Sequence, residues 1–304
     1  MSVKNLWNRL RQMHGRGETE GGHLSLNQLT WKRFLQDRWA VAGVIVILII
    51  TITVVLAPVL CKYAPETIDG SMVRQAPSTR HILGTDDLGR DIFSRLLYGG
   101  RVSMTVAVSA TVLQLFLGIV MGALAGYFGK WVDSLIMRIA DVVMCFPFYV
   151  IAVCLAAILG PGLRNTVIIL GFLGWPSLCR MVRAEILSIK ENDYVMAAKS
   201  LGLHSGEIMF RHILPNVMSP VIVSATLSVA GAIMSEASLS YLNLGVKIPQ
   251  PSWGNMLSAA QSMNTLINEW WRWIPPGLCI IVVVLSINYI GEGLRKAMSP
   301  KAGE

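Results

Sequence analysis

Residues 102–129 read VSMTVAVSATVLQLFLGIVMGALAGYFG, an uncharged run that decides the fold. An α-helix rises about 1.5 Å per residue, so about 20 residues cross the ~30 Å hydrocarbon core of a bilayer. Backbone groups in that core must be hydrogen-bonded within the protein, which a helix achieves by itself. The run therefore predicts a transmembrane helix.

The composition extends this interpretation to the whole chain. Of its 304 residues, 53% are hydrophobic and only 14% are charged, whereas soluble domains carry about 25% charged residues. An ordinary soluble protein and a disordered chain are both excluded. The net charge of +8 is explained by basic cytoplasmic loops. Because no nucleic-acid-reading motif is present, we expect no nucleic-acid partner.

We predict an all-α polytopic membrane protein with six spans. Their approximate boundaries are 40–61, 102–129, 135–160, 165–183, 216–236 and 273–291. Residues 1–39 and 292–304 then form tails, of which GRGETEGG at 15–22 is expected to be flexible, and 184–215 form a long connection. The excess of Lys and Arg predicts that this connection and both tails are cytoplasmic. Because residues 1–39 are polar and basic and the first apolar run is long enough to span, we expect the first span not to be cleaved.

Signatures of catalysis are missing from the sequence. It contains no GxSxG, no HExxH and no phosphate-binding GxxxxGK[ST]. The five histidines lack metal-ligand spacing, and Asp86, Asp87 and Asp91 lack the alternation of a calcium loop. We predict no catalytic residue, no metal site and no cofactor bound by this chain. The adjoining IFSRLLYG (92–99) predicts a short amphipathic helix at the outer interface.

A stripe of small residues follows one face of the second span. Gly118, Gly122 and Gly126 are four residues apart, which lets another helix approach closely. That helix belongs either to the same bundle or to a second, related subunit. The sequence leaves both alternatives open.

Two acidic residues lie within or near predicted spans, where charge is costly. Asp141 is expected to pair with Arg138, three residues earlier. Glu236, toward the outer end of the fifth span, has no evident local partner. It faces either a solute pathway or the membrane interface.

The connection ENDYVMAAKSLGLHSGEIMFRHILPN (191–216) is the most informative segment. A helix is predicted from Tyr194 to Leu201, ended by Gly202 as a C-cap, and a second over 206–213. Pro215 is expected to break the chain before the fifth span. Ala197 and Ala198 present a surface that a partner can approach closely. The segment either docks as a rigid knob on a soluble partner or rests on lipid headgroups.

This segment resembles the coupling motif of binding-protein-dependent ABC importer permeases. In that motif three residues separate Ala-Ala from a glycine, and a Leu-Pro pair follows, as in Ala197, Ala198, Gly202, Leu214 and Pro215. The sequence departs from it at two positions. They are Met196, in place of Glu, and His212, in place of a hydrophobic residue.

Three longer strings narrow the resemblance. HILGTDDLGRDIFSRLLYGGRVS (81–103), SEASLSYLNLGVKIPQPSWGNML (235–257) and GEGLRKAMSPK (291–301) are similar to the C-type permease subunit of dipeptide/oligopeptide importers. Ser299 departs from that group, which often has Asp. Nickel, metal-chelate and glutathione importers resemble the same group, so these substrates remain alternatives. An ion-gradient-driven secondary transporter is the alternative of another class, although no internal repeat is evident.

The resemblance implies a type I ABC importer permease-like bundle in the cell membrane, with cytoplasmic coupling helices and both termini inside. The partners that it implies are a homologous second permease subunit, two ATPase subunits that bind the ATP, and an extracytoplasmic solute-binding protein. Membrane lipid surrounds the bundle. The residues expected to couple to the ATPase are Tyr194, Ala197, Ala198, Gly202, Glu207, His212, Leu214 and Pro215.

Overall fold

The computed structural model describes residues 26–298, which are mostly helical. The predicted flexible stretch 15–22 and the end of the C-terminal string, 299–301, lie outside the described residues. The α-helices, in chain order, are α1 Leu26–Gln36, α2 Arg38–Val55, α3 Ala57–Leu60, α4 Ile92–Phe128, α5 Lys130–Met144, α6 Phe148–Leu159, α7 Leu163–Lys190, α8 Asp193–Ser200, α9 Ser205–Glu207, α10 Leu214–Tyr241, α11 Trp253–Leu257, α12 Met263–Asn268 and α13 Trp270–Met298. A π-helix over Ile208–Ile213 joins α9 to α10, and a 3₁₀ turn over Ser258–Gln261 follows α11.

Five continuous helices of the described part are long and apolar enough to cross a membrane. They are α2, α4, α7, the run from α9 through α10, and α13. A sixth span is formed if α5 and α6 are counted together. The fold class predicted from the sequence is therefore confirmed, while several helices extend beyond the predicted spans.

The third predicted span is broken rather than straight. Helices α5 and α6 meet at an angle of 84°, although the sequence predicted one span over 135–160. The break falls at Phe146 and Pro147, and Pro147 has extended backbone, with φ −58° and ψ 131°. Proline cannot donate a backbone hydrogen bond and restricts the residue before it, so the helix ends and restarts here.

The predicted short interfacial helix at 92–99 is wrong, because this segment is the first part of the long helix α4. Asp91 caps α4 by accepting a hydrogen bond from the backbone N–H of Ser94 at 2.8 Å. The helix continues through Gly99 and Gly100 without a break. A Cβ on Gly100 would lie 2.8 Å from the Trp253 ring, so the glycines make room for α11.

The acidic string before α4 is a structural ionic cluster. Asp86 pairs with Arg90 at 2.7 Å and with Arg95 at 3.5 Å, and all three side chains are largely buried. Asp91 meets His81 Nδ1 at 2.9 Å. These carboxylates therefore have protein partners, which fixes the 62–91 connection onto the start of α4.

Helices α4 and α7 form the centre of the bundle. Their glycines meet large side chains across the interface: a Cβ on Gly118 would lie 2.6 Å from Leu178, and one on Gly126 would lie 2.9 Å from Ile186. Gly122 fits between them against Val182. The glycine stripe thus packs within this chain, where the absent side chains bring two backbones together.

Candidate functional site

The segment 191–216 folds into a compact knob at one end of α7. Helix α8 begins after Asn192, whose backbone is extended, and carries Asp193 in its first turn and Lys199 in its last. These charges stabilise the positive and negative ends of the helix, respectively. A helix of eight residues is too short to be stable alone, so it depends on contacts with the bundle.

The turn after α8 is closed by a Schellman motif. The N–H of Gly202 donates to the Lys199 carbonyl at 3.1 Å, and the N–H of Leu203 donates to the Ala198 carbonyl at 3.3 Å. Gly202 has a φ of +80°, which residues with a side chain rarely adopt. Gly202 therefore fixes the angle between α8 and the following helix.

The segment after this turn runs directly into α10. The π-helix Ile208–Ile213 continues into α10 without an interruption, so the expectation that Pro215 breaks the chain is wrong. Pro215 lies in the first turn of α10, where a missing backbone donor costs least. The wider π turn before it accommodates the change in hydrogen-bond register.

Apolar side chains anchor the knob to the membrane helices. Val195 and Ala198 from α8, with Ile208 from the π-helix, are buried in one cluster with residues of α7 and α10. The α7 members include Ile186 and Ile189. The knob is therefore packed onto the ends of two membrane-spanning helices.

The two alanines of the motif point in different directions. Ala197 is exposed, whereas Ala198 is only 6% exposed and belongs to the buried cluster. The sequence interpretation placed both on one approachable surface. Helical geometry separates them, because adjacent residues on an α-helix point about 100° apart.

Large apolar side chains on the outer face of the knob are uncovered, among charged residues such as Lys199 and Glu207. Leu201 is 80% exposed and Phe210 is 72% exposed, and Met196 lies beside exposed Ala197. Leu201 and Phe210 are not among the site residues predicted from the sequence, since their exposure depends on how the knob packs. Apolar residues in a segment predicted to be cytoplasmic were the available signal, since exposed apolar patches mark interaction surfaces.

The remaining predicted residues form polar links around the knob. Asn216 donates its side-chain N–H to Tyr194 Oη at 3.3 Å and to the His212 carbonyl at 2.7 Å. Arg211 pairs with Glu207 at 3.3 Å on an exposed face. Tyr194 thereby ties α8 to the start of α10, while Leu214 is half-buried between the knob and the bundle.

Ion pairs brace α5 against α7 near the same end of the bundle. Arg183 makes a bidentate pair with Asp133, with Nη2 to Oδ2 at 2.6 Å. Asp141 pairs with Arg180 rather than with Arg138, so the predicted local pair is wrong. Arg180 reaches Asp141 from a neighbouring helix, a long-range contact that spacing along one helix does not reveal.

Glu236 lies at the opposite end of α10, within the protein. Its carboxylate accepts hydrogen bonds from Ser103 Oγ at 2.8 Å and from Ser240 Oγ at 2.7 Å, and the residue has no exposed surface. Ser240 is a local partner that the sequence analysis overlooked. The pathway role of Glu236 stays a prediction.

Family models match most of the chain. Residues 118–304 match the model described as the binding-protein-dependent transport system inner membrane component. Residues 25–77 match the N-terminal transmembrane domain of oligopeptide transport permease C.

Named relatives are similar over nearly the whole chain. A peptide permease protein of Brucella suis is 43% identical over 270 residues, with 89% of each chain covered. The dipeptide transport system permease protein of Alkalihalophilus pseudofirmus is 41% identical, covering 89% of this chain and 88% of the relative. The oligopeptide transport system permease protein of Bacillus subtilis is 37% identical, covering 91% and 90%.

A solved structure shares the fold. An inward-facing structure of the MetNI methionine ABC transporter contains a chain that is 16% identical, with a TM-score of 0.56. The match covers 67% of this chain and 96% of that one. The family models and the named relatives indicate the same family, and the helical bundle is consistent with it. This chain therefore belongs to the family of binding-protein-dependent transport system inner membrane components, the membrane-spanning permease subunits of ABC importers.

Proposed function

We propose that this chain forms half of the translocation pathway of an ATP-driven importer of di- and oligopeptides. The names of the relatives, which specify peptides, dipeptides and oligopeptides, support this substrate class. A homologous second permease supplies the other half of the pathway. Two ATPase subunits bind the ATP, and an extracytoplasmic solute-binding protein delivers the peptide.

The observation that carries the proposal is the knob at 191–216. It combines a rigid, anchored interior with an exposed apolar face around Ala197 and Leu201. Such a face fits a groove on a soluble protein, because burying it removes apolar area from water. With both termini in the cytoplasm, this face is cytoplasmic, and an ATPase subunit is the partner that it meets.

The anchoring explains how a movement at the knob reaches the membrane. When the ATPase subunits close on ATP, the knob is displaced and carries the ends of α7 and α10 with it. The tight glycine contacts then move α4 together with α7. Nucleotide thereby shifts the population between inward-open and outward-open arrangements of one bundle.

The coupling residues divide into two groups by position. Ala197 meets the ATPase directly, with Tyr194 and Glu207 at the edge of the contact. The others hold the shape of the knob rather than touch the partner: Ala198, Gly202, His212, Leu214 and Pro215. Each of these assignments rests on exposure and contacts in the single chain.

Uptake by the reconstituted complex tests the proposal. The wild-type complex, with its ATPase subunits and binding protein in vesicles, is expected to accumulate labelled tri-alanine only with ATP. Leu201→Glu places a charge in the proposed interface and is expected to lower uptake at least tenfold, whereas Leu201→Met preserves an apolar surface and retains uptake. Uptake driven by an ion gradient without ATP would contradict the proposal, as would transport of nickel or glutathione but not of peptide.

A further inference from the structure

Two neighbouring cavities open beside the middle of α4. One, of about 390 Å³, lies at the elbow between α5 and α6 and against α7. The other, of about 230 Å³, lies between α4, α7 and α10. They share Gln114, Phe148 and Gly174 in their walls, so Gln114 stands at their junction.

Gln114 is positioned by a glycine and a serine from the two adjacent helices. A Cβ on Gly174 would lie 2.7 Å from Gln114 Cδ, so the absent side chain leaves the space that the amide occupies. Gln114 Nε2 donates to Ser228 Oγ at 3.3 Å. Each of these residues lies near the middle of its predicted span, which places them at about one depth in the membrane.

The amide retains most of its hydrogen-bonding capacity. Glutamine can donate two hydrogen bonds and accept two, and within residues 26–298 the side chain of Gln114 has Ser228 as its one hydrogen-bond partner. An amide in hydrocarbon with open positions is costly. A ligand that offers both a donor and an acceptor would satisfy it.

The walls of the cavities define the class of that ligand. Among the described residues, the other polar side chains in their walls are the hydroxyls of Ser177, Ser228 and Ser235, and none of the wall residues is charged. Pro176 in the wall makes a backbone acceptor available, because a proline within a helix leaves the carbonyl four residues earlier without its usual N–H donor. Within residues 26–298, the cavity walls hold no carboxylate, imidazole or thiolate that could bind a metal ion.

We propose that Gln114, with Ser228 and Ser235, forms a mid-membrane subsite that hydrogen-bonds the backbone amides of a peptide in transit. Gly231, where nothing lies within 4 Å of a Cβ, leaves room beside it for side chains of different size. The subsite recognises what all peptides share and is indifferent to sequence. This inference rests on the proposed function and identifies a specificity-determining residue for it.

The test compares tri-alanine with an analogue in which the second of its two peptide bonds is replaced by an ester. The same binding protein is used throughout, so a change in preference between variants reports the permease. The ratio of amide to ester uptake is expected to fall about three- to tenfold in Gln114→Leu, which corresponds to one or two lost neutral hydrogen bonds. The exposed Gln75→Leu is the matched control and is expected to retain the wild-type ratio.

Photolabelling of the wild-type complex keeps the inference testable if the variant does not assemble. A tripeptide with a central benzophenone side chain is expected to label residues that line the two cavities. An unchanged amide-to-ester ratio in assembled Gln114→Leu would overturn the inference, as would labelling confined to other parts of the complex. Absence of tri-alanine uptake by the wild type would instead contradict the proposed function, and this is measured first.

Discussion

Gly122 and Val182 approach so closely that a Cβ atom built on Gly122 would lie 2.7 Å from the Cβ of Val182. The same atom would lie 2.7 Å from the carbonyl oxygen of Cys179, which is part of the backbone and cannot turn aside. Gly118 and Gly126 lie one turn away on either side. The separation of α4 and α7 is therefore set by the absence of side chains along one stripe.

Gly122→Leu is expected to destabilise the subunit by about 1–3 kcal/mol, because overpacking displaces the backbone of α7. Thermal unfolding of the purified complex in detergent measures the effect, and the yield of assembled complex should fall with it. Gly231→Leu is the control for stability, since nothing lies within 4 Å of a Cβ at that helical position. Equal stability of the two variants would contradict the assigned packing.

The two alanines of the knob predict different consequences for the same substitution. Ala198→Glu buries an unpaired carboxylate beside Val195 and Ile208, so it is expected to destabilise the knob and abolish ATP-driven uptake. Ala197→Glu projects into solvent and is expected to leave thermal stability unchanged while weakening ATPase binding. Unfolding curves and co-purification of the ATPase subunits separate the two effects. Equal loss of stability in both variants would contradict the orientation of α8.

The sequence predicted the elements of this site more completely than their contacts. Gly202 ends α8 as predicted, because a glycine C-cap is a local signal that needs no tertiary information. The orientation of Ala198 and the exposure of Phe210 depend on how the knob packs on α7, and helix propensity carries no such information. The pairing of Asp141 with Arg180 likewise depends on a neighbouring helix.

The spans show the same division between local and tertiary information. Long uncharged runs located the membrane helices, because the bilayer imposes one length on each of them. The ends of those helices were missed where protein contacts extend them beyond the apolar run. Helix α4 starts at Ile92 because Asp91 caps it and because Gly99 fits against the backbone of Ser252.

Asp37 predicts a pH-dependent contribution to stability at the start of α2. Its carboxylate caps the helix and meets Lys296 Nζ at 3.1 Å. The hydrogen bond from Lys296 and then that from the Ala40 N–H lower the pKa of Asp37 below its ordinary value. A carboxyl whose pKa is lower in the folded state than in the unfolded state, where it is about 3.9, stabilises the folded state. This contribution is fully present above the unfolded-state pKa and is lost as the pH falls through the folded-state pKa.

Asp37→Ala is therefore expected to cost about 1 kcal/mol at neutral pH, the usual value of a helix N-cap. Asp37→Asn retains a capping oxygen and should cost less. The difference between wild type and Asp37→Asn is expected to shrink as the pH is lowered from 5 to 3, as measured by thermal unfolding. A difference that grew on acidification would contradict the assigned direction.

Substitutions of Glu236 and Ser103 are expected to have strongly non-additive effects on the free energy of unfolding. Ser103 Oγ donates to the buried carboxylate at 2.8 Å and accepts from the Trp253 backbone N–H at 3.1 Å, so one hydroxyl joins α4, α10 and α11.

Ser103→Ala leaves a carboxylate oxygen and an N–H without partners and is expected to cost about 1–3 kcal/mol. In a Glu236→Leu background the same change should cost less, because the acceptor of this hydroxyl is already absent. Denaturant unfolding of the four variants, followed by circular dichroism, gives the coupling energy. Additive costs would show that the carboxylate does not depend on this hydroxyl, and the link from α4 to α11 would then have to reside in the apolar contacts of Gly100 with the Trp253 ring.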